Sequence, residues 1–147
     1  TQKNLKQKRL MVKVELKWRK FDQAIEDIRH HYQSKSIKMI IGISRGGLVP
    51  AVSLSHKLSI PMDSLVWQTR DGIHKDVSKL MRLQKLYKPE EILFVDDICD
   101  SGRTIREIRE HFPNASFTTL IDKIPEEGLV EYAPLRFGDE WIIFPWE

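Results

Sequence analysis

Two short apolar runs constrain the fold more than any other feature of this chain. Met39–Ile43 and Ile92–Val95 are too brief for helices and too continuous for strands with one face in water, which is typical of buried parallel strands. Weaker strand patterns occur at 11–18, 65–67 and 117–121, and the first of these alternates like an edge strand. Helical spacing of apolar residues predicts helices between them, at 21–32, 48–58, 77–86 and from near 104 onward. The sequence therefore predicts an α/β fold with a doubly wound, mainly parallel sheet flanked by helices.

Length and composition predict a single soluble domain that spans residues 1–147. Apolar residues make up 41% of the chain and charged residues 31%, a balance that disfavours a disordered or fibrous protein. No apolar run approaches the roughly 18 to 20 residues that cross a bilayer. Cys99 is the only cysteine, so the chain can form neither an internal disulfide nor a thiolate metal cluster. We therefore expect a cytoplasmic protein without a membrane partner.

Basic residues near the start account for much of the net charge of +3. They are Lys3, Lys6, Lys8, Arg9, Lys13, Lys17, Arg19 and Lys20. Such a cluster can contact nucleic acid or an acidic partner, but a solvated segment is the more common role for a basic terminus. We therefore expect no nucleic-acid partner.

The second apolar run leads directly into a polar loop. Asp96 and Asp97 are adjacent carboxylates that repel one another, so a positive or hydrogen-bonding group should meet them. Farther along, Ser101 and Thr104 carry hydroxyls and Gly102 permits a tight turn. The helix that follows points free N–H groups outward, which makes a site for a phosphate. An anion pocket beside a carboxylate pair suits a ligand that carries both a phosphate and a polyol or metal, such as a sugar phosphate.

Other interpretations of this loop stay open. Asp100 or Ser101 would serve only as a helix cap if the two preceding aspartates faced the solvent. An acidic pocket of the receiver type is another candidate. The acidic strand end of a nucleoside triphosphatase is disfavoured, because the chain has no G-x-x-x-x-G-K-[ST] loop.

The segment ILFVDDICDSGRT at 92–104 resembles the signature with which type I phosphoribosyltransferases bind phosphoribosyl pyrophosphate (PRPP). The family usually has threonine where this chain has Ser101, a change that keeps the hydroxyl. The resemblance implies that Asp96 and Asp97 hold the ribose hydroxyls, directly or through Mg²⁺ with Asp97 as its ligand. It implies further that Asp100 is the catalytic group that accepts or steers the purine N7 proton. The PRPP-binding residues of this loop would be Asp96, Asp97, Asp100, Ser101, Gly102, Arg103 and Thr104, the last four at the 5′-phosphate.

A second loop, Ser44-Arg45-Gly46-Gly47, follows the first apolar run, and its two glycines allow a backbone to approach a ligand closely. By itself such a turn is as often a structural connection between a strand and a helix. The family places its pyrophosphate-binding loop at this point in chain order. The resemblance therefore implies that Ser44, Arg45 and Gly46 bind the diphosphate of PRPP, with a strained or cis peptide in the loop.

Three further segments resemble the xanthine-guanine branch of this family: the opening strand, the run GISRGGLVPA at 42–51 and the closing WIIFPWE at 141–147. In that branch an aromatic side chain stacks on the purine and a lysine contacts its 6-oxo group. This implies base-binding roles for Trp141, Ile142 and Lys123. A lysine donor complements a carbonyl, whereas an adenine site would need an acceptor. A core position for Trp141 and a surface position for Lys123 are the structural alternatives.

The resemblance implies an enzyme that transfers ribose 5-phosphate from PRPP to xanthine, guanine or hypoxanthine with Mg²⁺ as cofactor, giving a purine nucleoside monophosphate and pyrophosphate. It also implies a small hood built from the terminal segments, and a homodimer or homotetramer. The loop Gln68–Asp76 would close as a lid, although the family's usual Ser-Tyr pair is replaced near Trp67–Thr69. One alternative is a PRPP-binding regulator with weak or no catalysis that contacts nucleic acid through its basic N-terminus. The other is a phosphoribosyltransferase for a non-purine base.

Overall fold

The computed structural model describes residues 11–69 and 74–147. Its strands and α-helices, numbered in chain order, are β1 (Lys13–Glu15), α1 (Trp18–Tyr32), β2 (Met39–Ser44), α2 (Leu48–Leu58), β3 (Met62–Val66), α3 (Val77–Leu86), β4 (Ile92–Cys99), α4 (Arg103–His111), β5 (Ser116–Asp122) and β6 (Trp141–Ile143). Two single-turn 3₁₀ helices, Pro89–Glu91 and Pro125–Glu127, precede β4 and follow β5. The predicted alternation of strands and helices is confirmed, although the strand predicted at 65–67 spans Met62–Val66 and the run at 92–95 continues as a strand to Cys99.

Four parallel strands form the main sheet in the order β3-β2-β4-β5. β2 and β4 lie side by side at its centre, with Ile41 opposite Phe94. After β2 the chain crosses to β3 on one side, and after β3 it returns to β4 on the other side of β2. This reversal opens a crevice between the carboxyl ends of β2 and β4, which is where doubly wound sheets bind ligands. The predicted doubly wound parallel sheet is confirmed.

Helices cover both faces of this sheet and bury two separate apolar clusters. Ile40 and Leu93 belong to the cluster that contains α1 and α2, while Ile41 and Phe94 belong to the cluster of α3 and α4. All four side chains are completely buried. Because successive residues of a strand point to opposite faces, a strand that is covered on both sides is apolar at every position. This arrangement explains the two continuous apolar runs of the sequence.

The second sheet is a parallel pair of β1 and β6, with Val14 opposite Ile142. The Leu16 amide donates to the Ile143 carbonyl at 2.8 Å, just beyond the end of β1. Leu16 and Phe144 are both buried in the cluster that contains α1. Because the two strands come from opposite ends of the described chain, the predicted hood of terminal segments is confirmed.

The predicted strand at 11–18 is wrong in its second half, because α1 begins at Trp18. β6 is three residues long, so among the described residues no strand pairs with this segment beyond Leu16. The Lys17 carbonyl instead accepts the Phe21 amide at 3.0 Å and starts the helix. Trp18 then packs edge-on against Phe21, with 5.3 Å between the ring centroids.

In the described ranges, no helix has both the length and the apolar character that a membrane span requires. Half of the basic cluster lies outside these ranges, namely Lys3, Lys6, Lys8 and Arg9. The prediction of a single domain over 1–147 includes those outside residues, and it stays a prediction.

Candidate active site

The loop predicted to bind the diphosphate follows β2, whereas Asp96 and Asp97, the acidic pair, lie in the second half of β4. Both face the crevice between these two strands. Gly46 lies so close to the acidic pair that a Cβ built on it would fall 2.3 Å from Oδ2 of Asp97. Gly47 is packed more tightly still, because its Cβ would fall 2.1 Å from the carbonyl oxygen of Val95. Real Cβ atoms do not approach other atoms this closely, so the loop after β2 can pack against β4 only because neither glycine carries a side chain.

Ser44 and Arg45 lie at the same edge of the sheet. Ser44 is the last residue of β2, and the peptide bond between Ser44 and Arg45 is cis, as the resemblance implied. Arg45 is exposed, so its positive charge is open to an anionic ligand. The structure thus brings the predicted diphosphate loop against the acidic strand end, while the contact of Arg45 and Gly46 with a diphosphate stays a prediction.

Asp96 and Asp97 differ in their surroundings. Asp96 is 9% exposed, whereas Asp97 is half-buried. Oδ1 of Asp96 accepts the Asp97 amide at 2.8 Å, and Oδ1 of Asp97 accepts the Ile98 amide at 2.7 Å. Burial, and next the negative charge of Asp97, raises the pKa of Asp96 well above its usual value. The alternative in which both carboxylates face the solvent is wrong, and the buried acid favours a ligand that brings a cation or hydroxyl donors.

The loop between β4 and α4 lines a small, shallow pocket. Gly102, with a φ of +79°, is the N-cap residue of α4, so Asp100 does not cap the helix. Ser101 Oγ accepts the Arg103 amide at 3.3 Å. Amides at a helix N-terminus, together with nearby hydroxyls, can bind a phosphate group. The predicted residues that line this pocket are Asp96, Asp100, Ser101, Gly102, Arg103 and Thr104.

The side chain of Arg103 has a partner farther along its own helix. Its Nε donates to Oε2 of Glu107, one turn along α4, at 3.1 Å. The backbone N–H of Arg103 donates to Ser101 Oγ, so a contact between Arg103 and a phosphate stays a prediction. Glu107 is not among the site residues predicted from the sequence. The signal was present, because an arginine and a glutamate four residues apart on one helix commonly form an ion pair.

Lys123 and Trp141 come together at the junction of the main sheet and the hood. The amide of Lys123 donates to the Cys99 carbonyl at 2.9 Å, so Lys123 lies beside the end of β4. Its Nζ donates to the carbonyl of Glu140, the residue before Trp141, at 2.5 Å. Trp141 is 8% exposed, so little of its surface is open to a ligand. The two residues are adjacent, while stacking of Trp141 on a base stays a prediction.

Ile142, the third residue predicted at the base, is placed differently. It pairs with Val14 in the hood and is completely buried in the cluster that also contains Leu16. A base could touch it only if the hood opened, because Ile142 has no exposed surface in this conformation. Its contact with a base therefore stays a prediction.

Cys99 is the last residue of β4 and lies between the acidic pair and residues 100–104, which we call the phosphate loop. Burial, and next the negative charge of Asp122, raises the pKa of its thiol to about 12. Because the thiolate is the reactive form, we expect the native protein to react with an aromatic disulfide reagent at mildly alkaline pH on the order of 100-fold more slowly than the unfolded chain. Absorbance of the released thiol measures both rates, with the chain in concentrated guanidinium chloride as the reference. Equal rates would contradict the burial of this thiol.

Comparison with known proteins identifies the family. Residues 15–147 match the phosphoribosyl transferase domain. The chain is 34% identical over 117 residues to a xanthine-guanine phosphoribosyltransferase of Cereibacter sphaeroides. The aligned region covers 75% of this chain and 69% of the relative. It is 31% identical over 135 residues to a protein of the same name from Idiomarina loihiensis, over 88% of this chain and 84% of the relative. The crystal structure of a purine phosphoribosyltransferase from Pyrococcus horikoshii superposes with a TM-score of 0.67 at 30% identity, over 92% of this chain and 94% of that one. The chain therefore belongs to the type I phosphoribosyltransferase family, as the motif at 92–104 indicated.

Proposed function

We propose that this protein transfers the phosphoribosyl group of PRPP to a 6-oxopurine base and releases pyrophosphate. The observation that carries the proposal is the meeting of a phosphate pocket, an acidic pair and a glycine loop at one crevice. The two relatives named xanthine-guanine phosphoribosyltransferase and the purine phosphoribosyltransferase structure support a purine substrate. No specific contact among residues 11–69 and 74–147 favours either a PRPP-binding regulator or an enzyme for a non-purine base.

The 5′-phosphate, the ribose and the diphosphate of PRPP would each contact a different part of this site. The 5′-phosphate would lie at the N-terminus of α4, bound by first-turn amides and by the hydroxyls of Ser101 and Thr104. The ribose hydroxyls would donate to Asp96 and Asp97, which would stabilise the buried acid. The diphosphate would lie along the loop 44–46, where the exposed Arg45 supplies a positive charge.

The acidic pair also fits the Mg²⁺ that we propose as cofactor. Within the described ranges no group of three or more His, Cys, Asp or Glu side chains could hold a metal by itself. Mg²⁺ does not need such a cage, because it is usually bound through one or two carboxylates together with water and substrate phosphates. Asp97 is the proposed ligand, since it is the more exposed member of the pair. When bound, the ion would offset the negative charge of the departing pyrophosphate.

The proposed reaction exchanges one bond at C1 of the ribose. The bond from C1 to the pyrophosphate oxygen breaks with its electron pair going to the leaving group, and a bond from N9 of the purine forms. N7 of the base loses its proton, and we assign Asp100 to accept or steer it because this residue lines the same pocket as Asp96. Asp96 and Asp97 would stabilise the positive charge that develops on the ribose ring.

Replacing Lys123 with methionine is expected to lower kcat/KM for a 6-oxopurine about 10- to 100-fold, because a hydrogen bond from a charged donor contributes about 1.5–3 kcal/mol. Lys123 can keep its bond to the Glu140 carbonyl while it donates to a base, because an ammonium group has three donors. Steady-state kinetics with guanine and hypoxanthine measure the effect. Lys85→Met, at an exposed position on α3, is the control. Equal kcat/KM values in the wild type and Lys123→Met would remove Lys123 from the base site.

The proposed function is tested by following pyrophosphate release from PRPP and Mg²⁺ with xanthine, guanine, hypoxanthine, adenine or orotate, one base at a time. Release with one or more of the 6-oxopurines, lost on chelation of Mg²⁺ by EDTA, is the expected result. Release with orotate alone would favour an enzyme for a non-purine base. Measurable PRPP binding by calorimetry without release with any base would overturn the proposal and favour the regulator.

We further propose that the protein forms a homodimer or homotetramer. Val66, at the end of edge strand β3, is 42% exposed, and Val77 and Met81, one turn apart on α3, are 36% and 54% exposed. The Val66 carbonyl accepts the Asp76 amide at 3.1 Å, which brings the end of β3 next to the start of α3. An apolar patch of this kind favours association with a second copy. Light scattering on the eluted protein checks the mass, and a monomer at micromolar concentration would contradict this assembly.

A further inference from the structure

The carboxylate of Glu107 joins three groups from two parts of the chain. Its Oε1 accepts Nε1 of Trp67 at 2.9 Å and Nζ of Lys75 at 2.9 Å. Its Oε2 accepts Nε of Arg103 at 3.1 Å. Trp67 directly follows β3 and Lys75 lies shortly before α3, whereas Arg103 is the first residue of α4. The Glu107 side chain therefore links the start of α4 to the segment between β3 and α3.

Trp67 and Lys75 are themselves paired. They form an antiparallel bridge, with backbone hydrogen bonds of 2.8 and 3.1 Å on its two sides. Trp67 is 5% exposed, so its indole N–H needs an acceptor inside the protein, and Glu107 supplies it. The Trp67 ring also packs edge-on against His111 of α4, with 6.0 Å between the ring centroids. Glu107 therefore makes the polar contacts between this bridge and α4, beside one aromatic contact.

The charges around Glu107 keep it ionised. Partial burial acts to raise its pKa, but the bonds from Lys75, Trp67 and Arg103 outweigh burial and lower the pKa to about 2. The side chains of Glu107 and Lys75 are 24% and 23% exposed, so solvent screens this pair less than an ion pair on the open surface. Glu107 is therefore a carboxylate throughout the neutral pH range, and it can hold both cations at once.

Arg103 belongs both to these contacts and to the proposed PRPP site. It follows Gly102, the N-cap of α4, and its amide belongs to the first turn that we propose for the 5′-phosphate. Nη1 of Arg106 holds the loop from the same helix, because it donates to the Ser101 carbonyl at 2.7 Å. The contact through Arg103 and Glu107 continues to the bridge beyond β3, so the phosphate loop and that bridge share one support.

We infer that Glu107 is a positioning residue for PRPP binding, which holds the first turn of α4 and the Trp67–Lys75 bridge in one arrangement before the substrate arrives. This inference rests on the proposed function. A phosphate loop that is already ordered loses less conformational entropy when it binds, so the benefit appears in the affinity for PRPP. Glu107 acts through Arg103 and the bridge rather than on the reacting atoms, so turnover of bound PRPP should change little.

Kinetics of Glu107→Gln test the positioning role. Glutamine keeps an acceptor for the indole of Trp67 but removes the charge that pairs with Lys75 and Arg103. We expect the KM for PRPP to rise about 10-fold, while kcat and the KM for the base change less than about twofold. Glu110→Gln is the matched control, because it makes the same substitution at an exposed position on the same helix. A merely structural role would lower the yield of folded protein and leave both KM values unchanged.

Hydrogen exchange gives a second readout that does not need enzyme activity. The bonds that flank the bridge run from the Gln68 amide to the His74 carbonyl and from the Asp76 amide to the Val66 carbonyl. In Glu107→Ala both amides are expected to exchange about 10-fold faster than in the wild type, because the bridge loses its polar contacts with α4. In Glu110→Ala, the control that matches this substitution, they should exchange at the wild-type rate.

The positioning role and the proposed function fail in different ways. If the wild-type protein released no pyrophosphate, the proposed function would be wrong. The role of Glu107 would still be decided by the PRPP affinity from calorimetry and by the amide exchange rates. If the wild type is active, the positioning role would be overturned by a wild-type KM for PRPP in Glu107→Gln together with wild-type amide exchange in Glu107→Ala. Should Glu107→Ala fail to fold, Trp67→Phe, which removes the indole N–H donor, takes its place in the exchange measurement.

Discussion

Replacing Gly47 with alanine is expected to destabilise the protein by about 3 kcal/mol, which corresponds to a fall of about 10 °C in Tm for a chain of this length. A Cβ at this position would lie 2.1 Å from the Val95 carbonyl oxygen and 2.8 Å from the Ile43 carbonyl oxygen. Both are backbone atoms of the two central strands, so neither can move aside without parting β2 from β4. The glycine loop would then separate from the acidic pair, and we expect weaker PRPP binding as well.

Thermal unfolding followed by circular dichroism gives the Tm of this variant. Gly138→Ala is the matched control, because the nearest atom to the added Cβ is 3.4 Å away, in the flexible side chain of Glu140. We expect its Tm to stay within about 2 °C of the wild type. Equal Tm values for Gly47→Ala and Gly138→Ala would mean that the loop after β2 does not pack closely against β4.

Asp100→Asn is expected to lower kcat about 100- to 1000-fold while the KM for PRPP stays within about threefold. Asparagine has nearly the same shape and can still bond to a base, but its amide cannot take up the N7 proton. Asp100 is half-buried in the pocket between the acidic pair and the phosphate loop, so the change removes no packed core and the Tm should not fall.

Steady-state kinetics at saturating base measure both constants. Asp22→Asn makes the same substitution at an exposed position on α1 and should behave as the wild type. A loss of PRPP affinity with an unchanged kcat would make Asp100 a binding residue instead of a catalytic one. Wild-type values for both constants would remove Asp100 from the mechanism.

The fold class and the phosphate loop could be predicted from the sequence because their signals are local. A strand covered on both faces is apolar at each position, and the runs at 39–43 and 92–95 show this within a few residues. The segment 96–104 places two acids, hydroxyls, a glycine and a helix start in one short stretch. Its chemistry can therefore be inferred before any distant contact is known.

Predictions that depend on a distant partner were less complete. The alternation at 11–18 indicates a strand throughout, but β6 contains three residues and the chain turns into α1 at Trp18. Ile142 follows Trp141 in the predicted base site, yet its pairing with β1 and its complete burial follow from how the hood packs. Strand length and burial depend on the partner, and the partner lies more than a hundred residues away in the chain.

The sequence by itself determined most of the strands and helices and which segment carries the acids and hydroxyls, because periodicity and turn chemistry act between residues that are close in the chain. The tertiary structure alone decided that Gly46 lies against Asp97 and that Glu107 meets Trp67 and Lys75. These contacts join residues that are far apart in the chain, so they depend on the strand order β3-β2-β4-β5 and on the faces that the helices cover.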